Sequence, residues 1–179
     1  MKYTLLYILI FFCSPLFSQQ PSCNCCTPNH ADFNFWVGEW VVYDTLGNKL
    51  GENVIKKVEI DCLLTEQWTG SSGSSGRSMN YYEPKDSTWN QIWVSNGGTN
   101  LILKGKFVND AMVLRSDIIA HPKSNYMNQI TWKSQDNGTV TQTWDLIDEN
   151  GQLLRTIFHG VYIPRRSPLE SPVEPAFVK

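Results

Sequence analysis

The chain has no excess of positive charge: 15 Lys and Arg stand against 17 Asp and Glu, a formal net charge of −2. That balance lacks the basic footprint with which nucleic-acid binders neutralise phosphates, and no nucleic-acid partner is expected. Long apolar runs are missing too. Leu5 to Cys13 is a run of nine, whereas crossing hydrocarbon takes about 20 residues. Nothing after it is longer, so no transmembrane segment is expected in the mature chain. Catalytic and cofactor signatures are equally scarce: there is no Ser-His-Asp order, no carboxylate pair at defined spacing, no metal triad and no C-x-x-C-H attachment sequence. The stretch Gly70-Ser71-Ser72-Gly73-Ser74-Ser75-Gly76 is glycine-rich. It lacks the Gly-Lys-Ser/Thr ending and the following helix of a phosphate loop, and reads as a flexible hairpin tip. No cofactor is expected.

What is present is aromatic. All seven Trp follow residue 35, while charged residues make up only 18% of the chain, the composition of a folded domain with a real core. At the start, Lys2, the apolar run and the break at Ser14-Pro15 follow the plan of a secretory signal, with cleavage expected after Ser18. Export to a periplasmic or extracellular space is therefore expected. The segments are a signal peptide over 1–18, a Cys-rich stretch over 19–32, a barrel domain over 33–163 and a Pro-rich tail over 164–179, with prolines at 164, 168, 172 and 175.

Loss of Cys13 with the signal leaves Cys23, Cys25, Cys26 and Cys62, an even number in an oxidising compartment, where disulfides are the default. Pairing Cys25 with Cys26 would strain a vicinal ring. A bridge from Cys25 or Cys26 to Cys62 would close a loop of about 37 residues, worth about 4 kcal/mol in the chain-entropy model. The competing use of Cys23, Cys25, Cys26 and His30 is a copper or zinc site, but C-x-C-C matches no standard closed zinc pattern.

Past residue 40 no helical period is sustained, and turn signals such as Leu46-Gly47-Asn48, Asn96-Gly97-Gly98, Asn109-Asp110, Asp136-Asn137-Gly138 and Asn150-Gly151 recur at strand-plus-turn intervals. About ten strands result, in stretches such as Trp40–Tyr43, Leu63–Thr69, Arg77–Tyr82, Trp89–Ser95, Met112–Ile118 and Leu153–Tyr162. An antiparallel meander of that length has exposed edges, and closure removes them, so the expected fold is all-β: a single up-and-down antiparallel barrel. Thr27-Pro28 resembles a helix cap with Pro at the first helical position, so a short helical turn over Asn29 to Phe35 is expected, placed to plug one end.

Residues two apart share a face of a strand. One parity holds Glu66 and Trp68; Asn80 and Tyr82; Trp89, Gln91 and Trp93; Ile130 and Trp132; Gln142, Trp144 and Leu146. A plain hydrophobic core would not seat Glu, Asn and Gln repeatedly among indoles, because each unpaired buried polar group costs about 1–3 kcal/mol. Either they pair with one another or they face a wet, ligand-accepting cavity. The opposite parity holds Met79, Tyr81, Ile92 and Val94, so alternation alone leaves the inward direction open; the high average burial of Trp favours the aromatic set.

Phe33-Asn34-Phe35-Trp36-Val37-Gly38-Glu39-Trp40 resembles the F-x-F-W-x-G-x-W opening of a family of exported bacterial domains of unknown function, similar to calycin or lipocalin-like barrels. The likeness continues through Cys62-x-x-x-Glu66-x-Trp68, Ser78-x-Asn80-x-Tyr82, Trp89-x-Gln91-x-Trp93-Val94, Thr141-Gln142-Thr143-Trp144 and Phe158-His159-Gly160-Val161-Tyr162. His159 stands where that family is expected to carry an acid. The resemblance implies an antiparallel barrel with a pocket and transfers no activity or catalytic residue. It also implies structural roles for Gly38 and Trp40, with Arg155 or Arg165 stacked on Trp40.

The leading functional expectation is a barrel that binds a small hydrophobic or amphipathic molecule. Trp68, Tyr82, Trp93, Trp132 and Trp144 would form the walls, and Glu66, Asn80, Gln91 and Gln142 would orient the ligand. The alternative is a hydrolase- or isomerase-type enzyme using Glu66 as acid or base. A haem or metal barrel built on His159 or His30, and a structural role in which the Pro-rich tail docks a partner, are the remaining readings.

Overall fold

The computed structural model describes residues 23–165. The expected signal segment and all of the Pro-rich tail beyond Arg165 lie outside them. Ten strands, β1 (Gly38–Tyr43), β2 (Lys49–Val58), β3 (Leu63–Gly70), β4 (Ser75–Glu83), β5 (Thr88–Ser95), β6 (Asn100–Val108), β7 (Ala111–Arg115), β8 (Met127–Ser134), β9 (Val140–Ile147) and β10 (Leu153–Pro164), follow one another. Each pairs antiparallel with its neighbours in the chain, and β1 pairs with β10, so the sheet closes into a barrel. Hairpin chemistry sets the joints: Asn109 and Asp110 both take positive φ (51° and 59°) in the two-residue link from β6 to β7, as the twist of a tight hairpin requires. β7 is shorter than the Met112–Ile118 reading. Past Ser116, which still exchanges bonds with Asn128, the chain leaves the ladder and touches back through the bridge of Ile119 with Tyr126.

One joint carries no turn signal beyond a lone Asp. Between β2 and β3, Glu59, Ile60 and Asp61 stand in the left-handed region (φ 52°, 52° and 67°). Glu59 and Ile60 pay about 1–2 kcal/mol each there, whereas Asp enters that region more readily. The next residue, Cys62, is bonded to Cys25, and Cys23 is bonded to Cys26. These bridges consume all four thiols, which leaves no thiolate set for the metal reading of Cys23, Cys25, Cys26 and His30.

The aromatic parity faces inward. Asn53, Glu66, Asn80, Gln91 and Trp132 are buried, while Met79, Ile92 and Val94 of the other parity are exposed. One end of the interior is filled by the segment before β1. A one-turn helix, α1 (Pro28–Ala31), starts on its proline as expected, but Thr27 does not cap it through its side chain. Its Oγ1 bonds His30 Nδ1 instead, at 2.7 Å. A 3₁₀ turn over Asn34–Trp36 follows. Phe33 and Trp36 stack at 4.8 Å, both fully buried, and Phe33 meets Trp89 and Trp132 edge-on at 5.5 and 5.2 Å. This is the plug.

Gly38 lets the chain turn from plug to wall, with φ at +149°, and the Trp40 indole lies 3.5 Å from where a Cβ would sit. The Trp40 Nε1–H donates to the Trp36 carbonyl at 2.9 Å. Neither arginine stacks on Trp40. Arg165 runs past it: its N–H donates to the Glu39 carbonyl at 2.8 Å and its guanidinium pairs with Glu52, while Arg155 is exposed on β10. Pro164, assigned above to the tail, ends β10 opposite Trp40. A proline is tolerated there because the strand end needs no further ladder donor.

The two bridges close chain lengths of 37 and 3 residues. Replacing Cys25 and Cys62 together by Ser is expected to cost about 4 kcal/mol, and replacing Cys23 and Cys26 about 2 kcal/mol, in urea unfolding. Equal losses would show that neither cost comes from loop closure.

Candidate functional site

Between the plug and the opposite rim lies a cavity of about 300 Å³. Its volume falls at the lower end for small-molecule sites. Trp68, Trp93, Trp132 and Trp144 form its walls with Phe158, Tyr162, Leu50, Leu101 and Ile130, and Glu66, Gln91 and Gln142 supply polar atoms. The cavity reaches the rim at Ser72 and Ser74, in the β3–β4 hairpin tip. The glycine-rich stretch is thus the lip of the cavity.

Small residues hold the large ones in place. A Cβ on Gly51 would sit 2.7 Å from the Trp68 ring, and one on Gly76 would strike the Trp93 ring. The two indoles therefore lie flat against bare backbone at the open end, half-buried. Trp144 is oriented differently: its Nε1–H donates to Asn128 Oδ1 at 2.8 Å. Phe158 meets Trp68 edge-on at 6.2 Å across the cavity.

Asn80 and Tyr82 share the inward face but do not reach the cavity. Both sit nearer the plug. Asn80 Nδ2 donates to Ser78 Oγ at 2.9 Å and to the Leu64 carbonyl at 3.2 Å, and its Oδ1 accepts from Gln91 Nε2 at 2.7 Å. Tyr82 packs against His30 at 5.0 Å and its hydroxyl accepts from Asn29 Nδ2 at 2.7 Å. Their roles are to support Gln91 and to anchor α1, a correction to the wall and ligand-orienting roles expected of them.

The polar side chains form one chain of bonds that converges on Glu66. Ser78, directly opposite it on β4, donates to Oε2 at 2.6 Å, and Asn53 Nδ2 on β2 donates to Oε1 at 2.7 Å. Tyr162 donates to Gln142 Oε1 and accepts a long bond, 3.4 Å, from Asn53 Nδ2. Burial is the dominant influence on Glu66 and raises its pKa to about 7, against the lowering effect of the Ser78 and Asn53 bonds. Burial, then the neighbouring Glu66 charge, likewise pushes the Tyr162 phenol up.

Neither His30 nor His159 lines the cavity: the first is packed under Tyr82, and the second is exposed on β10. The haem and metal readings that used them find no support in this geometry. Sequence reasoning missed Tyr162 and Phe158 as wall residues, although their spacing of four on β10 puts both on the face shared with Gly160. It also missed Asn53 and Asn128, whose partners are remote in the chain.

No protein-family model matches the chain, and no curated protein matches it.

Glu66 gives stability a distinctive pH dependence. Between its ordinary pKa of 4.5 and about 7 the folded chain holds a proton that the unfolded chain releases, so stability falls as pH rises through that window. The full drop is on the order of 3 kcal/mol and levels off above it. The exposed carboxylates Asp44, Glu52 and Asp86, held below their ordinary range by hydrogen bonds, act oppositely and lose their contribution as pH falls below about 4. Urea unfolding of Glu66→Gln is expected to lose the downward slope between pH 4.5 and 7 and keep the acid limb; an unchanged slope would remove Glu66 as its source.

Proposed function

We propose that this protein is an exported binding barrel that holds a small apolar or amphipathic molecule in its aromatic cavity. The observation that carries the reading is the contrast between the two ends of the interior. Phe33 and Trp36 fill one end solidly, whereas the other keeps about 300 Å³ open among half-buried indoles. Leaving so much indole surface unpacked forfeits burial that a purely structural barrel would use, and a ligand restores it. Gln91, Gln142, Glu66 and Tyr162 supply the few polar atoms that such sites use for orientation.

Export belongs to the same proposal, with support from the two disulfides. No helix among the described residues is long and apolar enough to cross a membrane. Membership in the exported calycin-like family is likewise proposed on the motif residues, among which Glu66, Trp68, Gln91, Trp93, Gln142 and Trp144 line the cavity and Gly38 and Trp40 join the plug to β1.

A second reading has one observation in its favour: the Glu66 pKa, raised to about 7, suits an acid or base. Both carboxyl oxygens are already engaged, by the Asn53 amide and by the hydroxyl of the buried Ser78. Binding accounts for more of the site than catalysis does.

Native mass spectrometry of the protein purified from its exporting host is expected to show a bound small molecule that organic solvent strips away, and a polypeptide mass lowered by two disulfides. Titration with a broad hydrophobic library is expected to quench or shift the Trp emission. Absence of both a co-purified molecule and any emission change would overturn the carrier reading.

A further inference from the structure

The cavity carries a charge imbalance that narrows the ligand. Among its lining residues Glu66 is the only acid, and there is no Lys, Arg or His. None of the ion pairs among the described residues involves Glu66; its partners, Asn53 and Ser78, are neutral. A carboxylate so buried carries a large desolvation cost and no counter-charge inside the protein. Unmatched polar atoms lie nearby as well, the Trp132 Nε1–H on the lining among them. Asn53 is fully buried and its Oδ1 has no donor, and the amide oxygen of Gln142 takes only the Tyr162 hydroxyl.

The surroundings fit a cation from two directions. Indole faces attract ammonium groups through the ring quadrupole, most strongly where water is excluded, and Trp68, Trp93 and Trp144 stand around the cavity with Glu66. An anionic ligand would enter a site whose one ionisable acid repels it and whose walls present no basic group. A neutral ligand would leave the buried carboxylate without a counter-charge.

We propose, on the footing of the binding-barrel reading, that the cavity takes an amphipathic cation: a primary or secondary ammonium on an apolar body, with its N–H groups toward Glu66 and its body between the rings of Trp68, Trp93 and Trp144. The Glu66 carboxylate and the Gln142 amide oxygen on the lining can accept those N–H groups, which favours an ammonium with protons over a quaternary one. Protonation of Glu66 opposes the cation, so affinity rises with pH through the range in which that carboxyl ionises. The elements around Glu66 present Asn53 and Ile55 from β2, Ser78 and Asn80 from β4, Gln142 from β9 and Tyr162 from β10; Tyr162 is the other titratable group, and it stays neutral across that range. Lys57, two residues beyond Ile55, is engaged with Asp61 at 3.3 Å.

The test titrates the full exported chain with n-octylammonium, n-octanol and n-octanoate, following Trp emission at pH 5.5 and 8.5. Octylammonium is expected to bind at least about tenfold tighter than octanol at pH 8.5, octanoate weakest, with the preference for the amine collapsing at pH 5.5. Glu66→Gln, nearly isosteric, is expected to abolish the preference for octylammonium over octanol at both pH values. Should that variant not fold, the pH dependence of the native chain decides. Octanol matching or exceeding octylammonium at pH 8.5, or a preference that survives Glu66→Gln or is unmoved by pH, overturns the cation inference and leaves the carrier reading standing. Failure of all three to bind overturns both.

Discussion

The ladder between β1 and β10 is the constraint on which the rest of the molecule depends. Without it the ten strands would be an open meander with two unpaired edges and no distinction between an enclosed face and a free one. With Trp40 set opposite Pro164 and Val42 opposite Tyr162, the first and last strands are held in one register, and every second residue around the ring looks into a common interior. The same contact fixes the plug, because Trp40 turns back to the Trp36 carbonyl and Trp36 lies on Phe33. Arg165 ties the seam from outside, through the Glu39 carbonyl and the Glu52 carboxylate. The site is thus a consequence of closure rather than of any local motif.

Inside the ring, two chemistries are separated along the barrel axis. Toward the plug, phenyl and indole rings interlock with no room left over. Toward the rim, rings are held apart by bare backbone at Gly51 and Gly76 and by the bond from Trp144 to Asn128. Between them runs the hydrogen-bonded series Gln91, Asn80, Ser78, Glu66 and Asn53. Such a series is tolerated in a low-dielectric interior only when its members satisfy one another. Here all do except at its end, where a carboxyl lacks a counter-charge and one amide oxygen lacks a donor, and that end adjoins the cavity.

Much of this was legible beforehand. Turn chemistry placed the hairpins because Asn, Asp and Gly accept positive φ at little cost, and the parity of Glu66, Gln91 and Gln142 with the tryptophans marked one face as unusual. The β2–β3 joint was quiet, since Glu59 and Ile60 have no turn preference and Asp61 stands alone with no Gly or Asn beside it; the next residue, Cys62, is tied to Cys25. Tyr82 was read as a wall residue and Asn80 as a ligand-orienting one because parity says which face a residue is on, not how far along the axis it lies. Tyr162 was passed over for the complementary reason: its importance comes from Gln142 and Asn53, 20 and 109 positions away.

By itself, the amino-acid order determined the number of strands, their antiparallel succession, the need to close the sheet and the set of side chains that could share an interior, because turn preference and two-residue alternation are local properties of the backbone. Only the tertiary structure decided which parity faces inward, which of those side chains reach open space and which are used up supporting others. It alone placed a single acid among indoles with no base beside it. Depth along the barrel and the pairing of distant polar groups arise when β1 meets β10, and no stretch of chain shorter than the whole ring contains that information.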